Sequence, residues 1–272
     1  MQNSMDKIYI FVIILISGTL LAATVAKEYQ LKTSVALDGK YMTADHIGSS
    51  YVINQDNQVI KYDSLGNLVG RYSEERYGEL TSIDVTSPFN ILLFFQEYAT
   101  VVATDNNLNA KTLFRLASLG ADEVSAIGLS HDNYVWYFDT NESKLKKVNT
   151  QYEIIHESMS ISELLGVEIN PTFIIERERR VYVSDPDVGV LVFDIYGNYY
   201  NSFPILGLSH FQVLKNNIVY TDENKLQILN LRDFEVRAMP LPESVGEIKD
   251  IHLESNLLYV LNNEALQLYS AR

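Results

Sequence analysis

The chain of 272 residues contains no cysteine. That absence excludes disulfides, zinc–cysteine centres, thiol catalysis and a lipid-carrying cysteine, although a chain of this length can fold without staples even in an oxidising compartment. Basic residues are scarce as well: 21 Lys and Arg stand against 35 Asp and Glu, a formal charge of −14. Removing the first 26 residues takes away one Lys and one Asp and leaves that charge unchanged. A field of this sign repels phosphate backbones, so nucleic acid is not expected as a partner. No stretch keeps apolar spacing of three and four over several turns, which argues against a helical array. There is also no nucleophile elbow, glycine-rich phosphate loop or His-x-x-x-His pair. Neither a cofactor, a metal nor a catalytic residue is therefore predicted, and the chain reads as non-enzymatic.

Hydrophobic residues make up 47% of the chain, enough for an ordered core. The first segment is distinctive. After Lys7, nineteen residues from Ile8 to Ala26 carry no charge and end in Thr-Val-Ala. This is the pattern of a signal peptide, and its length would also serve as an uncleaved membrane anchor. Either way, residues 27–272 are expected outside the cytoplasm.

Glycine then marks out a period. Gly39, Gly78, Gly120, Gly166, Gly207 and Gly246 are separated by steps of 39, 42, 46, 41 and 39 residues. After each glycine come a short mixed run, a β-branched or aromatic run such as "ILLFFQ" or "YVWYF", a polar turn, and a third run such as "VLVFD". Five units end in a fourth alternating run, for example "LVGRYS". Runs of four to six residues divided by Asn, Asp and Gly turns are hairpin grammar, and a period near 41 suits propeller blades. The sixth unit stops after its third strand, while "EYQLKTS" (residues 28–34) precedes the first glycine without a partner. Inserted as the outer strand of blade six, it would remove an exposed edge. The predicted fold is all-β: one six-bladed β-propeller over residues 27–272, with its ring closed by the N-terminal strand.

Several motifs have a structural reading. The Asp-x-x-Gly-Asn stretches at Asp63 and Asp194 fall between third and fourth strands, where Asp bonds its own backbone and Gly-Asn supplies positive φ. "SDPDVG", at Ser184, lacks the downstream Glu of a calcium loop and reads as a turn. "SISELLG", beginning at Ser160, has the capping-box spacing Ser160–Glu163 and predicts one helical turn between blades three and four.

Candidate sites are sparse. Aligning the second strands puts His46 and His252 at one offset in adjacent blades, with Glu176 at the equivalent position of blade four. These three are candidate channel-mouth residues for a metal or acid–base centre, with a one-residue register slip as the alternative. "ERERR" supplies Arg177, Arg179 and Arg180 as candidate partner-docking residues, against a solvated strand edge. Tyr199 and Tyr200 lie in an outer strand, where alternation turns at least one outward as a docking anchor.

The second unit, Gly78 to Asn109 with its "SIDVTSP", resembles small six-bladed propellers of gram-negative bacterial envelopes, broadly the NHL and YncE-type groups. The resemblance implies a periplasmic or outer-membrane-associated interaction scaffold, similar to accessory subunits of outer-membrane protein assembly or type nine secretion machinery. It implies protein partners in an envelope complex and membrane association through a partner or an uncleaved N-terminal segment. The alternative is a periplasmic enzyme or small-ligand binder of the lactonase, lyase or sugar-dehydrogenase kind.

Overall fold

A computed structural model describes residues 29–222 and 224–271. The predicted leader, residues 1–26, lies outside them. Among the described residues no helix is long and apolar enough to cross a membrane.

The alternating runs pair as six four-stranded antiparallel sheets. Blade one comprises Gly39–Ala44, Ser50–Asn54, Gln58–Tyr62 and Leu68–Ser73, and four further blades repeat that order. Blade six takes Ile248–Glu254, Leu257–Asn262 and Ala265–Ala271 from the C-terminal end, and its fourth strand is Tyr29–Ala36 from the N-terminal end. Register runs from Tyr29 opposite Ala271 to Ala36 opposite Ala265, with one irregularity between Leu31 and Thr33.

Composition follows position within each blade. Second strands are covered on both faces by neighbouring blades, so they are rich in large apolar residues: Ile91–Phe95 is wholly buried, as is Val135–Asp139, which carries Trp136, Tyr137 and Phe138. Outer strands have one solvated face, and Leu68–Ser73 alternates accordingly. Six hydrophobic clusters lie between neighbouring blades. The one joining blade six to blade one packs Leu261 and Leu266 against Met42 and Val52, so the core runs right round the molecule.

The turn readings hold. Asp63 Oδ1 accepts from the backbone N–H of Leu65 and Asn67, and Oδ2 accepts from the Asn67 side chain. Asp194 repeats this with Tyr196 and Asn198, and Asp105 with Asn107 and Asn109. In "SDPDVG", Asp185 is buried and accepts from the N–H groups of Asp187 and Asn170. Ser160 caps the helical turn Ile161–Leu165 by accepting from the Glu163 N–H at 3.4 Å.

These third-to-fourth-strand turns also reach across to the preceding blade. Tyr152 meets Phe114, Tyr196 meets His156, and Phe234 meets Phe203, with ring centroids 5.4–5.9 Å apart. The turn at Gly66 lies against Thr33 and Val35 of the N-terminal strand. Blade six has no such turn, and there the Tyr29 hydroxyl donates to Met239 Sδ of blade five at 3.8 Å.

Candidate functional site

First strands face the molecule's axis, and their side chains line a cavity of about 260 Å³ built from blades one, two, four, five and six. Phe173, Ile175 and Phe211 form an apolar wall, with Phe173 and Phe211 edge to face at 5.4 Å. Its polar members include Tyr41, Thr43, Thr86, Arg177, His210 and His252, together with the acids Asp45, Asp84 and Glu254.

Within the cavity, His210 Nε2 lies 2.8 Å from Asp250 Oδ1, and Tyr41 meets the His210 ring edge-on at 5.0 Å. Burial alone would pull the His210 pKa down, but the Asp250 charge and hydrogen bond outweigh it and raise the value. Asp250 is itself anchored, since its carboxylate accepts from the N–H groups of Met42 and Ile251. Burial, with Asp250 as second cause, pushes the Tyr41 phenol well up, so it stays protonated. His252 contacts Thr43 Oγ1 through Nδ1 at 3.4 Å. Burial, then the charges of Arg177 and His210, lower its pKa to about 3, so it is neutral at neutral pH. Arg177 spans the channel from blade four to blade two, donating to Thr86 Oγ1 at 2.8 Å.

The sequence candidates scatter. His46 and His252 do line one cavity, His46 from an exposed position. Glu176 does not join them. It is buried between blades three and four, where it accepts from Trp136 Nε1 at 2.6 Å and bonds both the backbone and the ring of His131. A strand residue one position away, Arg177, enters the channel instead, so the alignment was out by one residue on this blade. Arg177 is accordingly no surface docking residue. Among the described residues no group of three or more His, Asp or Glu is placed to hold a metal ion. "ERERR" is not one patch: Glu178 and Arg179 form a tight hairpin turn with positive φ, and Arg180 lies over the Tyr200 ring at 4.0 Å. Tyr200 is 63% exposed, whereas Tyr199 packs against Phe193.

His210, Asp250 and Tyr41 escaped the sequence reading. Their signal is a polar side chain that bonds a residue about one repeat further on. His210–Asp250 are separated by 40 residues, Gln212–Leu253 by 41, and Asp84–Leu129 by 45. In each, a polar side chain on or just before one inner strand bonds the next blade.

No protein-family model matches the chain, and neither does any curated protein. Solved structures do resemble it. Virginiamycin B lyase from Staphylococcus aureus, as an inactive variant with quinupristin, superposes with a TM-score of 0.62 at 10% identity, over 89% of this chain and 99% of that one. A Bacteroides thetaiotaomicron protein of unknown function gives 0.64 at 13% identity, over 91% and 73%. The Cps50 (Swd1) propeller domain of Myceliophteria thermophila gives 0.56 at 13%, over 90% and 100%. At such identities the likeness defines the fold alone. The chain is a six-bladed β-propeller.

Proposed function

We propose that this propeller is an exported, non-enzymatic docking platform, an accessory subunit of an envelope complex for outer-membrane protein assembly or secretion. The observation that carries the reading is the set of large apolar side chains at equivalent turn tips. Leu65, Tyr196 and Phe234 are 73%, 55% and 60% exposed, all between third and fourth strands and hence on one face. Apolar groups repeated on one face of a rigid ring suit a protein partner. Meanwhile Asp84, Glu176, Gln212 and Asp250 are engaged in bonds between blades, which leaves few free groups for chemistry. In this reading the N-terminal strand fastens the ring as the outer strand of blade six. The apolar leader ends at Ala26 and that strand starts at Tyr29, so cleavage between them would spare it. Native affinity purification from detergent-solubilised envelopes of the host should recover a stoichiometric partner complex. A Leu65→Ser, Tyr196→Ser, Phe234→Ser variant should lose it, and recovery of the wild-type protein alone would count against the proposal.

One observation favours the rival reading, a small-ligand binder or enzyme of the lactonase, lyase or sugar-dehydrogenase kind. The His210–Asp250 pair beside Tyr41 has the form of an oriented acid–base group inside a cavity.

A further inference from the structure

We infer that the central channel is a binding site for a small organic monocarboxylate with an apolar body, gripped by Arg177. This goes beyond the docking role and does not depend on it.

Arg177 is the cation that the channel leaves without a counter-ion. Its hydrogen bonds run from one nitrogen, Nη1, to two neutral acceptors: Thr86 Oγ1 at 2.8 Å and the Glu176 carbonyl at 3.1 Å. Among the described residues no carboxylate lies within salt-bridge distance of it. A guanidinium carries five N–H donors in a planar fork, so the remainder are available to a bidentate acceptor. A half-buried cation without an anion bears part of the desolvation cost of burial uncompensated, which favours an anionic occupant.

The acids nearby do not meet that need, because each is already engaged. Asp84 accepts from the N–H groups of Thr86 and Leu129, and Asp45 from those of Ile47 and Ser49 and from the Tyr51 hydroxyl. Asp250 holds His210 and two backbone N–H groups, and Glu254 accepts from Ser255. Their charges do act on the guest. The carboxylates repel a dianion such as a phosphate twice as strongly as a monoanion, so a single negative charge held at close range by the guanidinium is the better fit.

The rest of the cavity sets the guest's other end. At about 260 Å³ it falls just under the roughly 300–1,000 Å³ usual for ligand pockets. Phe173, Ile175 and Phe211 offer an apolar and aromatic wall. His252, neutral and beside Thr43, and the protonated Tyr41 add hydrogen-bonding groups without charge.

Isothermal titration of the purified protein with phenylacetate and hexanoate tests this, each against its primary amide. At least one carboxylate should bind one to one, and its amide at least tenfold more weakly. Arg177→Met should weaken the carboxylate at least tenfold, while Arg179→Met, on the exposed turn two residues away, should bind as wild type. Circular dichroism checks folding; should Arg177→Met unfold, Arg177→Lys keeps the charge but loses the fork and should show a reduced affinity. Binding of neither carboxylate, equal binding of an amide, or unchanged binding by the Arg177 variant would overturn the inference. None of these outcomes touches partner capture from envelopes.

Discussion

His210 and His252 line the same cavity, yet their surroundings drive protonation in opposite directions. The folded pKa of His252, about 3, lies below the ordinary His value near 6.5. Between those pH values the unfolded chain binds the extra proton, so stability falls as the pH drops through this window. The slope is at most about 1.4 kcal/mol per pH unit. His210, raised by Asp250 against its burial, contributes stability that is complete below pH 6.5 and lost as pH climbs through its folded pKa. Melting temperature against pH should therefore fall on both sides of about pH 6.5. His252→Gln should flatten the acid side between about pH 6 and 4, and His210→Gln the alkaline side. An unchanged acid limb in His252→Gln would show that this residue is not held neutral. The residue scale is also where the sequence was least legible. Glu176 and Arg177 are adjacent and both charged, and only the register decides which one turns into the channel and which is locked beneath Trp136.

The turns show the opposite balance. Their internal chemistry was readable, because Asp, Gly and Asn at fixed offsets satisfy a turn's own backbone. Their second task was not, since it depends on a surface some 40 residues away. Blade one and blade two meet in this way at Gly70 of the outer strand Leu68–Ser73. A Cβ built on Gly70 would lie 2.6 Å from the Asn107 carbonyl oxygen, and Lys61, almost wholly buried, donates to the carbonyl and side-chain oxygens of Asn106. Backbone cannot retreat here without breaking those bonds. Gly70→Ala should thus cost roughly 1–3 kcal/mol, the usual range for overpacking. Chemical denaturation should show it as a lowered midpoint with unchanged slope. A neutral result would mean that the turn of blade two does not bear on its neighbour. The short helix behaves like the turns: Ser160 and Glu163 announce it, while the burial of Ile161 beneath it belongs to the fold.

For the whole molecule, periodicity was the legible quantity. Glycine spacing and hairpin grammar define six units because every blade must solve the same packing problem, and the unequal ends of the chain point to a sixth sheet assembled from both. What no repeat can announce is chemistry in the channel, where each blade contributes a different residue to one shared space. The composite sheet has a consequence for stability. Tyr29 stands opposite Ala271, so the first and last described residues meet where every other blade has its third-to-fourth-strand turn. If Tyr29–Ala36 holds blade six together, its loss bares the Ala265–Ala271 edge and strips cover from a neighbouring strand, inviting edge-to-edge association. A chain lacking residues 29–36 should melt lower and aggregate. A circular permutant should instead fold normally when residue 271 is joined to residue 29 by the Asp63–Asn67 turn sequence and the chain is opened in the exposed link at Asp122–Glu123. Its new turn would supply the contact that Tyr29 makes to Met239, and closing the terminal gap restricts the unfolded chain. Its melting temperature should therefore match or exceed that of the parent. Failure of the permutant to fold, together with tolerance of the deletion, would show that the N-terminal strand is an accessory to blade six and not its fastening.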